Sequence, residues 1–173
     1  MKKKILLIIS ALMVLAIVFS LPACGKAVAE KAIEKAVEST AGSDADVSVD
    51  DTGVVISNEE SAVQVGENAT VPEGWPNVVP VGKDIQIQVS ASSKSEGKTT
   101  WSISGAFSGS GEDLYNYYKS QLSIWNVDGE TITNSEGKNY WSSQLSNDKY
   151  TLLEMIIDDD KDFKTIALVL TEK

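Results

Sequence analysis

Apolar positions change their period several times along the chain, and each change marks an element. Ile5 to Phe19 is an apolar run broken only by Ser10, with Lys2, Lys3 and Lys4 before it and Leu21, Pro22, Ala23 and Cys24 after it. A run of this length is short for a spanning helix, which needs about 20 residues, and the basic, apolar, small-residue order is that of an export signal. Val28, Ala29, Ala32, Ile33, Ala36 and Val37 then recur at helical spacing, with Glu30, Lys31, Glu34, Lys35 and Glu38 opposite them. A short helix over 26–39 is predicted, with Gly42 suited to a left-handed cap. The period drops to two at Val47 and Val49, Val54 and Ile56, Val63 and Val65, which predicts three short strands separated by Asp/Gly and Asn/Glu turns.

Pro72, Pro76 and Pro80, with Trp75 between them, forbid regular structure and predict a rigid connector. Beyond it Ile85, Ile87 and Val89 alternate with Gln86 and Gln88, so the apolar three are expected to be buried and the two glutamines wet. Trp101, Ile103, Gly105 and Phe107 alternate in the next strand. Ser95-Glu96-Gly97-Lys98 and Ser135-Glu136-Gly137-Lys138 repeat the same four letters before Trp101 and Trp141, which predicts two hairpins of like phase. Ser110 and Asp113 form a capping pair at the start of one amphipathic helix, whose apolar side is read as Leu114, Tyr117, Tyr118, Gln121, Leu122 and Trp125. Three more strands are predicted over 140–145, 150–157 and 164–171. The last two are apolar on both faces and therefore central.

The expected fold is α+β: an antiparallel sheet in the order ββαββββ covered by one amphipathic helix, preceded by a short helix and a small three-stranded meander. The expected units are a signal peptide at 1–23, a lipid-anchored helical tether at 24–43, the meander at 44–70, the Pro/Trp connector at 71–82 and a main domain at 83–173.

Charge and composition then remove whole classes of function. The 173 residues carry a formal charge of −10, which becomes −13 once the three lysines of the signal are cut away. Nucleic acid and anionic headgroups are poor partners for such a surface. There is no histidine and no arginine, so a histidine-based triad, a zinc-histidine site and a bidentate arginine clamp are all excluded. The single cysteine, Cys24, rules out an internal disulfide.

Leu21, Pro22, Ala23 and Cys24 resemble the lipobox of bacterial lipoproteins, an aliphatic residue, a tolerant position, a small residue and the cysteine. The resemblance implies a diacylglycerol thioether on Cys24, cleavage before it and stable membrane attachment through the acyl chains. Gly25 lacks the aspartate that marks inner-membrane retention in Gram-negative lipoproteins, which leaves an extracytoplasmic face, a Gram-positive surface being favoured over an outer membrane. The Glu/Lys/Ala helix, the valine-rich meander, the Pro/Trp segment around Trp75 and the tyrosine-rich helix are together similar to a group of uncharacterised bacterial surface lipoproteins. That likeness implies a location and no activity.

Candidate chemistry is sparse. Asp158, Asp160 and Asp162 have the spacing of a calcium loop, but Phe163 stands where glycine is needed and Val169 where glutamate is, so a charged hairpin guarding two sticky strands is the better account. Ser-x-x-Lys at Ser95 and Ser135 matches a penicillin-binding nucleophile motif only in letters, since that chemistry needs an enclosed helix start. An envelope hydrolase using Lys98 or Lys138, or a carboxylate pair among Glu112, Asp113 and Glu136, is the rival to a non-enzymatic reading, and a passive structural lipoprotein is a third. No catalytic residue, cofactor or metal is assigned. The expected role is a binding or interaction module of the cell envelope with a protein or glycan partner. Trp75 is the candidate docking residue, with folding back of its ring over the sheet edge an equal alternative, and residues 26–39 are a candidate seam for self-association.

Overall fold

The computed structural model describes residues 46–50, 52–135, 138–160 and 163–173. The expected signal, the lipobox-like residues Leu21, Pro22, Ala23 and Cys24, the helix expected over 26–39, and Glu136 and Asp162 lie outside the described residues. Nine strands form one antiparallel sheet: β1 (Asp46–Asp50), β2 (Gly53–Ser57), β3 (Ser61–Gly66), β4 (Ile85–Ser95), β5 (Lys98–Phe107), β6 (Asn126–Ser135), β7 (Lys138–Ser146), β8 (Tyr150–Asp160) and β9 (Lys164–Glu172). Their spatial order is β1-β2-β3-β4-β5-β9-β8-β7-β6. The helix α1 (Gly111–Gln121) lies between β5 and β6 in the chain.

The α+β expectation, with its ββαββββ sheet under a helix and a small meander ahead of it, is thereby corrected: the protein is mostly β. Periodicity counts elements but does not say which of them share hydrogen bonds. β3 pairs with β4 from Ser61↔Ser93 to Val65↔Val89, so the sheet runs on across the proline connector. Nine strands at about 4.8 Å spacing span roughly 40 Å. An 11-residue helix is only about 16 Å long and 10 Å wide, so it covers a minority of that surface.

Paired residues share a face, and the register shows where the apolar face changes. On β5, β9, β8 and β7 the side under α1 carries Trp101, Ile103, Phe107, Ile166, Leu168, Leu170, Met155, Ile157, Trp141 and Leu145, all buried. Ile85 and Ile87 of β4 belong to the same side through Phe107 and Gly105. A bulge between Ile87 and Val89 adds one residue to β4 and turns Val89 and Ala91 to the reverse side, with Ser90 now opposite Ile103. Val63, Val65, Val54, Ile56, Val49 and Val47 follow Val89 and Ala91 onto that reverse side. Gln86 and Gln88 are exposed, whereas Ile85, Ile87 and Val89 are half-buried instead of buried, because the strict alternation breaks at the bulge. Gly105 is required where β4 bends, since a Cβ there would collide with the Gln86 carbonyl oxygen.

The Ser110 hydroxyl accepts from the Asp113 N–H at 3.3 Å and starts α1. Its buried stripe is Gly111, Tyr115, Tyr118 and Leu122, continued by Trp125. Tyr115, not Tyr117, is therefore the tyrosine that pairs with Tyr118 in facing the core; Tyr117 lies on the exposed side. The connector is held down over β5. The Trp101 indole N–H donates to the Glu73 carbonyl at 3.1 Å, the Trp75 indole to the Val79 carbonyl at 2.7 Å, and Val79 is buried in the core.

Candidate functional site

A cleft of about 240 Å³ opens beside the second half of α1, facing the sheet edge at β6. Its floor is Ser143 and Leu145 of β7 with Met155 of β8. One wall is Tyr115, Lys119, Leu122, Ser123 and Trp125 from the helix and the turn after it, and the other is Val127 and Glu130 of β6. Stacking stiffens both ends. Trp125 lies parallel to Tyr150 with ring centroids 5.7 Å apart, and Tyr115 stacks on Trp141 at 6.2 Å.

The cleft lining is mostly apolar; the partly exposed Lys119 and Glu130 mark its mouth, with the buried Tyr115 and Ser143 behind them. The Tyr115 hydroxyl donates to the Glu130 carboxylate, Lys119 Nζ lies 3.2 Å from the same carboxylate oxygen, and the ammonium stands 5.5 Å from the Tyr115 ring centroid. Ser143 is buried beside the Tyr115 phenol. Burial first, and then the bond to Glu130, push the Tyr115 hydroxyl above its ordinary value. The Tyr115 bond, followed by Lys119, holds Glu130 below the usual carboxylate range, and Glu130 in turn raises Lys119. At neutral pH the cleft presents a neutral phenol, a carboxylate and an ammonium. No member of the trio is tuned toward neutrality, where a general acid or base works best.

Glu130 reaches this position through a second bulge. The register of β6 on β7 shifts between Val127 and Gly129, so Asp128 is the extra residue and Glu130, opposite Ser143, joins Val127 and Ile132 on the side of α1. Sequence reading missed Lys119 and Glu130 as partners, because strict alternation from Val127 puts Gly129 and Thr131 on that side instead. The only available signal was Asp-Gly within a strand, a common mark of a bulge.

The residues singled out from the sequence lie elsewhere. Trp75 is half-buried against the core, with its indole N–H engaged by the Val79 carbonyl. Asp158 is exposed, while Asp160 is bound by Lys138 at 2.7 Å, and both belong to strand β8, not to a loop. Asp162 falls outside the described residues, among which no group of three potential metal ligands occurs. Ser95 and Lys98 are exposed at the β4–β5 hairpin tip, and Glu112 and Asp113 are exposed in the first turn of α1. Ser135 and Lys138 face solvent at the far end of β6 and β7. The cleft holds one carboxylate, Glu130. Among the described residues no helix is long and apolar enough to cross a membrane. Neither a protein-family model nor any curated protein or solved structure matches the chain.

Proposed function

We propose that this chain is a non-enzymatic binding module of a bacterial cell envelope, tethered to the extracytoplasmic face of the membrane by lipid on Cys24. The observation that carries the binding part is the cleft beside α1. It is a preformed, mostly apolar hollow with a few convergent polar groups, the usual make-up of a ligand site. The protonation states of Tyr115, Lys119 and Glu130 suit fixed recognition, because each group keeps one form through the neutral range. The order of basic residues, apolar run and lipobox supports the tether.

The test is capture from an envelope extract by the full chain in detergent, beside a variant whose cleft is filled. Ser123 is exposed and lines the cleft, so Ser123→Trp fills it without touching the core. The wild-type chain should retain a component, identified by mass spectrometry, that the variant does not. Identical retention by both, or none by either, would remove the reading. Cys24→Ser, which should leave the chain without acyl mass and unprocessed, tests the tether separately.

A further inference from the structure

We propose that the outer edge of β6 and the cleft behind it together receive an extended peptide segment of a partner protein, uncharged to basic, with an apolar residue at every second position. This rests on the binding reading above and names its partner class.

Strand β6 ends the sheet. Among the described residues none lies beyond it, and nine of its ten residues are exposed. Two residues separate the closing pair Ser135↔Lys138, which makes that pair a hydrogen-bonded one. Counting back along the strand, Ser135, Thr133 and Thr131 direct their N–H and C=O toward β7. Asn134, Ile132 and Glu130 direct theirs away from the sheet, where a further strand would meet them.

The side chains add a direction. Ile132 pairs with Trp141 and Val127 with Leu145, so both stand on the side of α1, and they remain 49% and 59% exposed. Ile124, in the turn between α1 and β6, is 90% exposed. Val127 lines the cleft, and Ile124 before it and Ile132 after it extend an exposed apolar rim along β6 and the turn that leads into it. A strand added to β6 lies about 4.8 Å beyond it, and its every second side chain would stand over this rim, with one reaching past Val127 into the cleft. Main-chain pairing would supply affinity and the cleft would select the anchoring side chain.

Charge sets the rest of the partner's chemistry. β6 carries Asp128 and Glu130 and no basic residue, on a chain of net charge −10. An acidic segment would be repelled, and a lysine or arginine opposite Asp128 would be attracted. Natural sheets guard edges with bulges and inward charges. Asp128 and Glu130 do so at the start of β6, but Thr131 to Ser135 carry no charge and leave Ile132 exposed.

The experiment uses random twelve-residue peptides displayed on phage, selected on the full chain in detergent. The selected peptides should alternate apolar and uncharged or basic residues. Their affinity should fall at least tenfold for Asn134→Pro, which removes an outward N–H from an edge strand that tolerates proline. It should fall similarly for Ile132→Lys, an exposed position whose change leaves the core intact, and for Ser123→Trp. Circular dichroism establishes that each variant is folded, and Ile132→Lys keeps the test sound if Asn134→Pro is not. Selection of no peptide, equal binding by folded edge variants, or a wild-type dimer that Asn134→Pro converts to a monomer would overturn the proposal, the last by showing that a second copy occupies the edge. If the edge variants still retain the envelope component that Ser123→Trp loses, the binding module stands and this inference alone fails.

Discussion

The backbone N–H of Gly111, the first residue of α1, donates to Oδ2 of Asp159 on β8 at 2.7 Å, across 48 positions of sequence. A carboxylate from the sheet thus satisfies an unpaired donor at the positive end of the helix. Lys164 Nζ, 3.0 Å from the other oxygen of Asp159, also donates to the Gly109 carbonyl, so one cluster fastens the loop before α1 to β8 and β9.

This contact reverses the usual sign of a glycine replacement. Alanine in a helix ordinarily stabilises it by about 1 kcal/mol relative to glycine. At Gly111 a Cβ would lie 2.7 Å from both Asp159 Cβ and Trp141 Cζ3. Gly111→Ala should therefore destabilise the protein by about 1–3 kcal/mol in urea unfolding. A variant as stable as wild type or more stable would show that α1 is not seated against β8 in this way.

The β4–β5 hairpin carries strain at a non-glycine residue. Glu96 has φ 56° and Gly97 φ 77°, the two positive angles of a tight two-residue turn between Ser95 and Lys98. Asparagine adopts this conformation more readily than glutamate. Glu96→Asn should raise stability by about 0.5–1 kcal/mol, and Gly97→Ala should lower it by about 1–2 kcal/mol. Thermal denaturation of the pair decides it. Equal midpoints would mean that the turn relaxes to another type.

Alkaline pH should weaken the fold through Tyr118. Its hydroxyl accepts from the Gly82 N–H at 3.4 Å and is pushed up to about 12, chiefly by burial. A raised value means that the folded state holds its proton after the unfolded chain, near 10, has released it. The associated stability is complete below pH 10 and is lost as pH rises toward about 12. The urea midpoint should fall across that interval, and Tyr118→Phe should flatten most of the fall, with a remainder from Tyr115, which is shifted in the same direction. An unchanged slope in Tyr118→Phe would place the alkaline sensitivity elsewhere.

Glu130 has the opposite sign. Its bonds to Tyr115 and Lys119 depress its titration, so its contribution is present above the ordinary carboxylate range and disappears as pH falls through the folded value. Lys119 is largely exposed and Glu130 about one third exposed, which limits the ion pair to less than about 1 kcal/mol. Glu130→Gln should cost little at pH 7 and should reduce the acid-side fall in stability, as measured by urea titrations from pH 7 to 3. A larger loss than that at neutrality would assign Glu130 a structural role beyond the cleft mouth.

Local signals were legible where the physics is local. The Ser110 cap, the paired Ser-Glu-Gly-Lys hairpins and the alternation that buries Trp101, Ile103 and Phe107 could each be read from a few neighbouring residues, because caps, turns and pleats are set by adjacent backbone. The core tyrosine could not. Tyr115, Tyr117 and Tyr118 are chemically close, and only the placement of Gly111 against Trp141 rotates α1 so that Tyr115 faces inward. For Trp75 the prolines bar a strand but leave exposure and folding back over the sheet equally open; its indole N–H finds the Val79 carbonyl four residues on and its ring packs against the core.

By itself the sequence determined the order of basic cluster, apolar run and Leu-Pro-Ala-Cys, the acidic charge, the lack of histidine, arginine and a second cysteine, and the short-range elements from Val47 onward. Tertiary structure decided that β3 joins β4 and makes a nine-stranded sheet, that bulges at Gln88 and Asp128 exchange the faces of β4 and β6, and that Lys119, Tyr115 and Glu130 meet at a cleft. The reason is the period of the strand. One inserted residue turns every later side chain to the other face, and whether it is inserted depends on the neighbouring strand's register, which no local window of sequence contains.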